Sequence, residues 1–140
     1  MSVSDDNLAA IKKAYKLFFD GEIDRFFEIF DDDVELIEAE GLPYGGVYRG
    51  KETVREAILS VMSYWDKMTL DLDVIAAEGD YVIGYGTFAA TGLKTGRKVS
   101  FRLAEVWKLR NGRVVMLSPV YGDTKLASEA LGHVSEVLAD

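Results

Sequence analysis

Two glutamates hold most of the chemistry this sequence can offer. Glu105 lies in the stretch 99–109, which alternates apolar and polar side chains as a strand with one buried face does. Asn111-Gly112 then supplies the two positive-φ residues of a type I′ turn, and 114–121 returns as the partner strand. With Asn111 and Gly112 as the loop, Arg110 faces Arg113 and Glu105 faces Ser118. Glu105 then shares a face with Phe101, Leu103, Trp107, Met116 and Val120. An ionised carboxylate alone on such a surface is costly. The fold has to give it a hydrogen-bond partner, a proton or a water-lined pocket, and the last two are what acid/base chemistry uses.

Glu38 is the second candidate. The segment 34–40 reads as a short strand whose two faces both carry apolar residues. With Val34 and Leu36 toward the core, Glu38 is aimed inward from the end of an apolar row; otherwise it is a solvated strand-end residue. Tyr15, Phe19, Trp65, Phe101 and Trp107 lie on faces that converge near Glu105, which makes them candidates for lining a pocket. The competing role for each is ordinary core.

The elements that must position these residues follow from spacing. Leu8, Ile11, Tyr15, Phe18 and Phe19 form a helical stripe, with Ser4 as its cap, Asp5 and Asp6 in its first turn and Gly21 as its stop. Ile23, Phe26, Phe27 and Phe30 predict a shorter second helix closed by Asp31-Asp32-Asp33. Those aspartates lack the alternate spacing and midway glycine of a calcium loop, so a solvated turn is expected. Segment 41–50, with Pro43, Gly45, Gly46, Tyr44 and Tyr48, reads as a loop that could rim a cavity. From Lys51, Val54, Ile58, Val61, Met62 and Trp65 predict a third helix. Strands at 69–78 and 81–90 form a hairpin around Gly79-Asp80, and Gly84 and Gly86 inside the second suggest a bend or a close approach by another group. Helices early and hairpins late predict one α+β domain over residues 1–140. Its curved antiparallel sheet wraps the N-terminal helices into a cone with an internal pocket at its open end.

Composition narrows the function. The chain has 140 residues, 49% of them hydrophobic, enough for a real core. With no cysteine and only His133, disulfides, thiolate chemistry, a multi-histidine zinc site and a Ser-His-Asp triad drop out; no metal and no cofactor is expected. A net charge of −8 disfavours nucleic acid as a partner. Lys94, Arg97, Lys98, Arg102, Lys108, Arg110 and Arg113 are seven of the 16 cations, and because most flank turns they read as a solvated hairpin end. The chain contains no apolar run long enough to span a bilayer, and the first residues lack the basic and apolar parts of a signal peptide. A cytoplasmic protein without a membrane partner is the expectation.

Several groups of residues carry a family resemblance. They are Tyr15 to Phe30 around Gly21-Glu22, Asp32-Asp33-Val34, Val47-Tyr48-Arg49-Gly50-Lys51-Glu52, Asn111-Gly112, and Gly122-Asp123-Thr124 leading to Leu131-Gly132. Together they resemble the SnoaL-like and ketosteroid-isomerase-like proteins of the nuclear-transport-factor-two-like superfamily. The resemblance implies that the isomerases' general-base aspartate corresponds to Glu38 and their protonated oxyanion-hole aspartate to a position near Glu105. The isomerases' helix tyrosine falls on Ala14, with Tyr15 one residue on, about 100° around the helix. Similarity to SnoaL-like cyclases implies an acid/base role for Asp123, although the hairpin register places Asp123 opposite Ser100, on the other face from Glu105.

Two functions are compatible with this reading. One is a cofactor-independent enzyme that moves a proton beside the carbonyl of a small apolar molecule, with Glu38 as base and Glu105 as hydrogen-bond donor. The other is a non-catalytic binding or assembly module in which Glu105 is satisfied by Tyr85, Ser118 or a buried water. The second sheet face, with Ala104, Val106, Val115, Leu117, Pro119 and Tyr121, predicts a homodimer through the sheet. It would stay monomeric if Leu126, Ala127, Ala130 and Leu131 folded back to cover that face.

Overall fold

The computed structural model describes residues 2–133. Four helices and six strands follow one another as α1 (Val3–Phe19), α2 (Ile23–Phe27), β1 (Phe30–Glu38), β2 (Gly46–Arg49), α3 (Lys51–Tyr64), β3 (Trp65–Glu78), β4 (Tyr81–Gly92), β5 (Lys98–Arg110), β6 (Arg113–Tyr121) and α4 (Thr124–Ala130). The strands form one curved, unclosed sheet in the order β2-β1-β6-β5-β4-β3. All pairs are antiparallel except β1 with β6, which run parallel and are joined through a long crossover of α3 and four strands, β2 to β5. The expected α+β cone is present, with one parallel pair added. Among the described residues, no helix is long and apolar enough to cross a membrane.

Local chemistry explains where the elements start and stop. α1 is capped by Ser2 rather than Ser4. The Ser2 hydroxyl accepts from the Asp5 N–H at 3.1 Å and the Asp5 carboxylate accepts from the Ser2 N–H at 3.4 Å, a reciprocal pair that Ser4 has no acid to complete. Phe30 does not extend α2. It opens β1, because the Val114 N–H donates to Ile29 O at 2.8 Å and the Arg113 guanidinium donates to Phe30 O at 2.9 Å. The aspartate run therefore lies inside a strand, where it breaks the β1–β6 register between Phe30 and Glu35, and Asp31 faces Arg110 and Arg113 at 3.7 and 3.9 Å. Part of the expected loop is β2, paired with β1 at Ile37–Val47 and Leu36–Tyr48. Trp65 opens β3 instead of closing α3.

The last hairpin carries the largest departure from the expected register. Asn111 and Gly112 adopt φ of 53° and 75°, as a type I′ turn requires, and Arg110 pairs with Arg113. Leu109 then pairs with Val114 but Lys108 pairs with Met116, so Val115 is an extra residue, a β-bulge. Beyond it every β6 side chain changes face. Glu105 stands opposite Pro119 rather than Ser118, and Leu117, Pro119 and Tyr121 join its face while Met116 and Val120 leave it.

The concave side of the sheet holds two packed clusters. One gathers Phe26, Phe27, Phe30 and Trp107 with Ile11, Ala14 and Leu17 of α1; the other gathers Leu42, Tyr44, Trp65, Phe88 and Phe101 with Ala127 and Ala130 of α4 and Leu131 at its end. α4 thus closes one end of the cone from within and does not cover the convex face.

Candidate active site

Between the two clusters lies an apolar cavity of about 110 Å³, walled by α1, α3 and the concave face of the sheet. A single water needs on the order of 10–15 Å³ by the same measure, so the space admits a small organic group. Glu38, Glu105, Tyr15 and Tyr121 bring polar atoms to a lining otherwise made mostly of Phe, Leu, Met and Trp side chains.

Sheet register sets the spacing of the two acids. Leu36 is level with Leu117 across the parallel ladder, so Glu38, two residues on, comes level with Pro119, and Pro119 pairs with Glu105 on its other side. Both glutamates therefore flank Pro119 on one face, two strand spacings apart, roughly 9–10 Å between backbones. Val34, Leu36 and Glu38 are all buried, which selects the inward register of the two that the sequence allowed.

Their surroundings differ. Tyr15 donates to Glu105 Oε1 at 3.0 Å, and the Trp107 indole N–H donates to the Tyr15 oxygen at 2.9 Å. Gly84 pairs with Glu105 and makes room for this contact, because a Cβ at that position would lie 2.9 Å from the Tyr15 hydroxyl. Glu38 is 4% exposed and its Oε1 has no hydrogen-bond partner among the described residues. Burial pushes the Glu38 carboxyl up to about 8, and the charge of Glu105 pushes in the same direction. Burial also raises Glu105, to about 7, against the hydrogen bond from Tyr15, which favours its charged form. Tyr15 itself is raised, first by burial and then by the neighbouring Glu105 charge, so it stays a neutral donor.

The other candidates separate. Tyr15, Phe19 and Trp107 line the cavity, with Phe19 at its mouth and 44% exposed. Trp65 and Phe101 do not line it. They pack in the second cluster, where Trp65 meets Phe88 at 5.4 Å and the Trp65 N–H donates to the Tyr44 hydroxyl at 3.1 Å. Asp123 is exposed and serves as the cap of α4, accepting from the Leu126 N–H at 2.9 Å. The bulge at Val115 brings the end of β6 into the parity Asp123 would need, but the strand stops at Tyr121 and the chain turns into α4 before Asp123 can face inward. Ala14, where the isomerases' tyrosine falls, is core, and Tyr15 makes the contact instead. Arg102 lies mid-strand on the convex face, where it joins Asp73, Tyr85 and Thr87; it does not belong to a solvated hairpin end.

Sequence reasoning missed Tyr121, Leu117 and Pro119 as lining residues. The signal was the unbroken apolar run Val114-Val115-Met116-Leu117, which cannot alternate and so has room for a bulge.

A sequence profile of the SnoaL-like domain matches residues 11–117. The chain belongs to this family, and so to the NTF2-like superfamily. No curated protein matches the chain at a significant level. Among solved structures, an NTF2-like protein of unknown function from Burkholderia pseudomallei superposes with a TM-score of 0.83 at 25% identity, over 94% of this chain and 98% of that one. TerC, co-crystallised with polyporic acid, gives 0.80 at 25% identity over 91% of this chain and 98% of its own. A protein named as a SnoaL-like polyketide cyclase from a Jannaschia species gives 0.80 at 12% identity over 96% and 97%, a likeness of fold alone.

Proposed function

We propose that the cavity binds a small apolar molecule carrying a carbonyl group and that Glu38 and Glu105 move a proton on it without a cofactor. The observation that carries this reading is the pair itself, two carboxyl groups on one row of an apolar cavity, both raised toward neutrality. The hydrogen-bond pattern supports roles in the reverse of the order expected from the sequence. In this reading Glu105, steadied by Tyr15, gives up its proton first and is the base; Glu38, whose Oε1 has no partner among the described residues, keeps its proton and is the acid. Glu105 takes a proton from the carbon next to the carbonyl, the C–H electron pair becomes the enolate double bond, and Glu38 donates a hydrogen bond to the oxygen. The co-crystallisation of TerC with polyporic acid supports an organic molecule as occupant of this type of cone.

The test is exchange of the methyl protons of acetophenone in D₂O, followed by proton NMR. The protein accelerates exchange over buffer, and Glu105→Gln reduces the acceleration by about 10²–10⁴-fold, the usual worth of a positioned base. No acceleration by the wild-type protein overturns the catalytic reading and leaves a binding cone.

We also propose a homodimer through the convex face, where Val74, Ile83 and Val120 are 52%, 46% and 53% exposed beside Tyr85, Ala104 and Val106. Sedimentation at micromolar concentration gives twice the chain mass; a monomer rules the dimer out.

A further inference from the structure

The cavity holds one polar group that the acid pair leaves unused, the hydroxyl of Tyr121. Tyr121 ends β6 opposite Leu103, and its ring stacks on Phe101 with centroids 5.3 Å apart and planes at 26°. Its oxygen lies 2.6 Å from the Tyr44 hydroxyl, which in turn receives the Trp65 N–H at 3.1 Å. By distance alone either tyrosine could supply the hydrogen between them.

The surroundings decide. An indole N–H can only donate, so Tyr44 is an acceptor toward Trp65. Tyr44 is buried, does not line the cavity, and has no acceptor for its own hydrogen other than Tyr121 among the described residues. If Tyr121 donated to Tyr44, the Tyr44 hydrogen would be buried without an acceptor, which is the costly arrangement. If Tyr44 donates to Tyr121, each hydrogen in the series has an acceptor except the last. That last hydrogen belongs to Tyr121, which lines the cavity near enough to Glu38 and Glu105 for their charges to oppose its ionisation, yet is hydrogen-bonded to neither.

We propose that Tyr121 is the fixed hydrogen-bond donor of this cavity, aimed by the series Trp65 to Tyr44 to Tyr121, and that it selects ligands bearing a carbonyl oxygen over apolar molecules of the same shape. The inference rests on the cavity being the ligand site, as proposed above, and adds its specificity element. Chains of hydrogen bonds polarise one another, so a hydroxyl that already accepts is a better donor than an isolated one. A neutral acceptor suits it, since a carboxylate would meet the two glutamates. With the ligand oxygen held beside Tyr121 and Glu38, the carbon next to the carbonyl is directed toward Glu105.

Two probes of nearly equal shape test this, acetophenone and ethylbenzene, titrated into the whole protein by calorimetry or NMR. The wild-type protein binds acetophenone more tightly, and its bound carbonyl stretch moves to lower frequency. Tyr121→Phe weakens acetophenone about two- to tenfold, the worth of one neutral hydrogen bond, returns the stretch toward its unbound position and leaves ethylbenzene unchanged. Should that variant fold poorly because the Tyr44 hydrogen is stranded, the double substitution Y44F/Y121F removes both hydroxyls and shows the same loss. Tyr44→Phe alone keeps the preference, somewhat reduced; a gain in acetophenone affinity would mean that Tyr121 had been donating to Tyr44 and overturns the inference. An equal change for both probes in Tyr121→Phe, or none, also overturns it while leaving the cavity as a binding site. If neither probe binds the wild-type protein, the cavity reading fails and this one with it.

Discussion

Glu38 and Glu105 are the same residue type, on the same face of one sheet, flanking the same proline, and they meet opposite conditions. The β5 wall supplies Glu105 with a tyrosine that is itself held by a tryptophan, and β4 contributes a glycine that lets the tyrosine in. The β1 wall supplies Glu38 with apolar neighbours and leaves one oxygen with no partner among the described residues. The contrast teaches that burial raises both acids, whereas a directed hydrogen bond to Glu105, and the Glu105 charge beside Glu38, separate them into one that ionises and one that resists.

The largest effect that could break this contrast is on stability. Both carboxyls hold their protons to higher pH in the folded protein than in the unfolded chain. The folded state therefore binds more protons between the ordinary carboxyl range and neutrality, and stability is full below about 4.5 and falls as pH rises toward about 8. Each pH step across that window costs at most about 1.36 kcal/mol per group. Urea unfolding from pH 4 to 9 shows the decline, and Glu38→Gln and Glu105→Gln each flatten it, Glu105→Gln both directly and by lowering Glu38. An unchanged slope in either variant would mean that the acid removed does not hold its proton above the ordinary carboxyl range.

Gly84→Ala gives a smaller effect that sharpens the contrast. The added Cβ, 2.9 Å from the Tyr15 hydroxyl, displaces that donor from Glu105. Chemical denaturation shows a loss of about 1–3 kcal/mol from overpacking, and the Glu105 carboxyl titrates higher, nearer to Glu38. An unchanged Glu105 titration would show that Tyr15 does not set its charge.

The smallest effect is a control. Asp123→Ala removes the cap of α4 and costs about 1 kcal/mol in the same denaturation assay, with both glutamate titrations unmoved. A shift in either would tie Asp123 to the cavity after all.

Much of this layout was legible in the sequence. Alternation in β5 and the Asn111-Gly112 turn located Glu105 on the inner face, and Val34 and Leu36 carried Glu38 inward once the sheet chose between two allowed registers. Strand period is a local property, so it survives folding intact. The β6 side of the cavity was not legible, because a bulge is settled by pairing with both neighbouring strands, and one extra residue at Val115 exchanged Met116 and Val120 for Leu117, Pro119 and Tyr121. Trp65 and Phe101 share the concave side with the cavity but lie in the cluster closed by α4, a distinction that spacing within one strand does not contain. Tyr15 was placed near Glu105 by its helix face, while the contact itself depended on the missing Cβ of Gly84, on the strand before Glu105 and six elements after Tyr15.

One apolar hollow holds two carboxyl groups, made unequal by the Tyr15 donor on Glu105 and by the Glu105 charge beside Glu38. Carbon-13 NMR of the protein labelled at glutamate side-chain carboxyls, followed from pH 3 to 10, tests it most directly. Two resonances titrating far above the other glutamates, Glu105 ahead of Glu38, with Glu38 falling when Glu105→Gln removes the neighbouring charge, is the predicted result. Glu38 and Glu105 titrating together with the surface glutamates would contradict it.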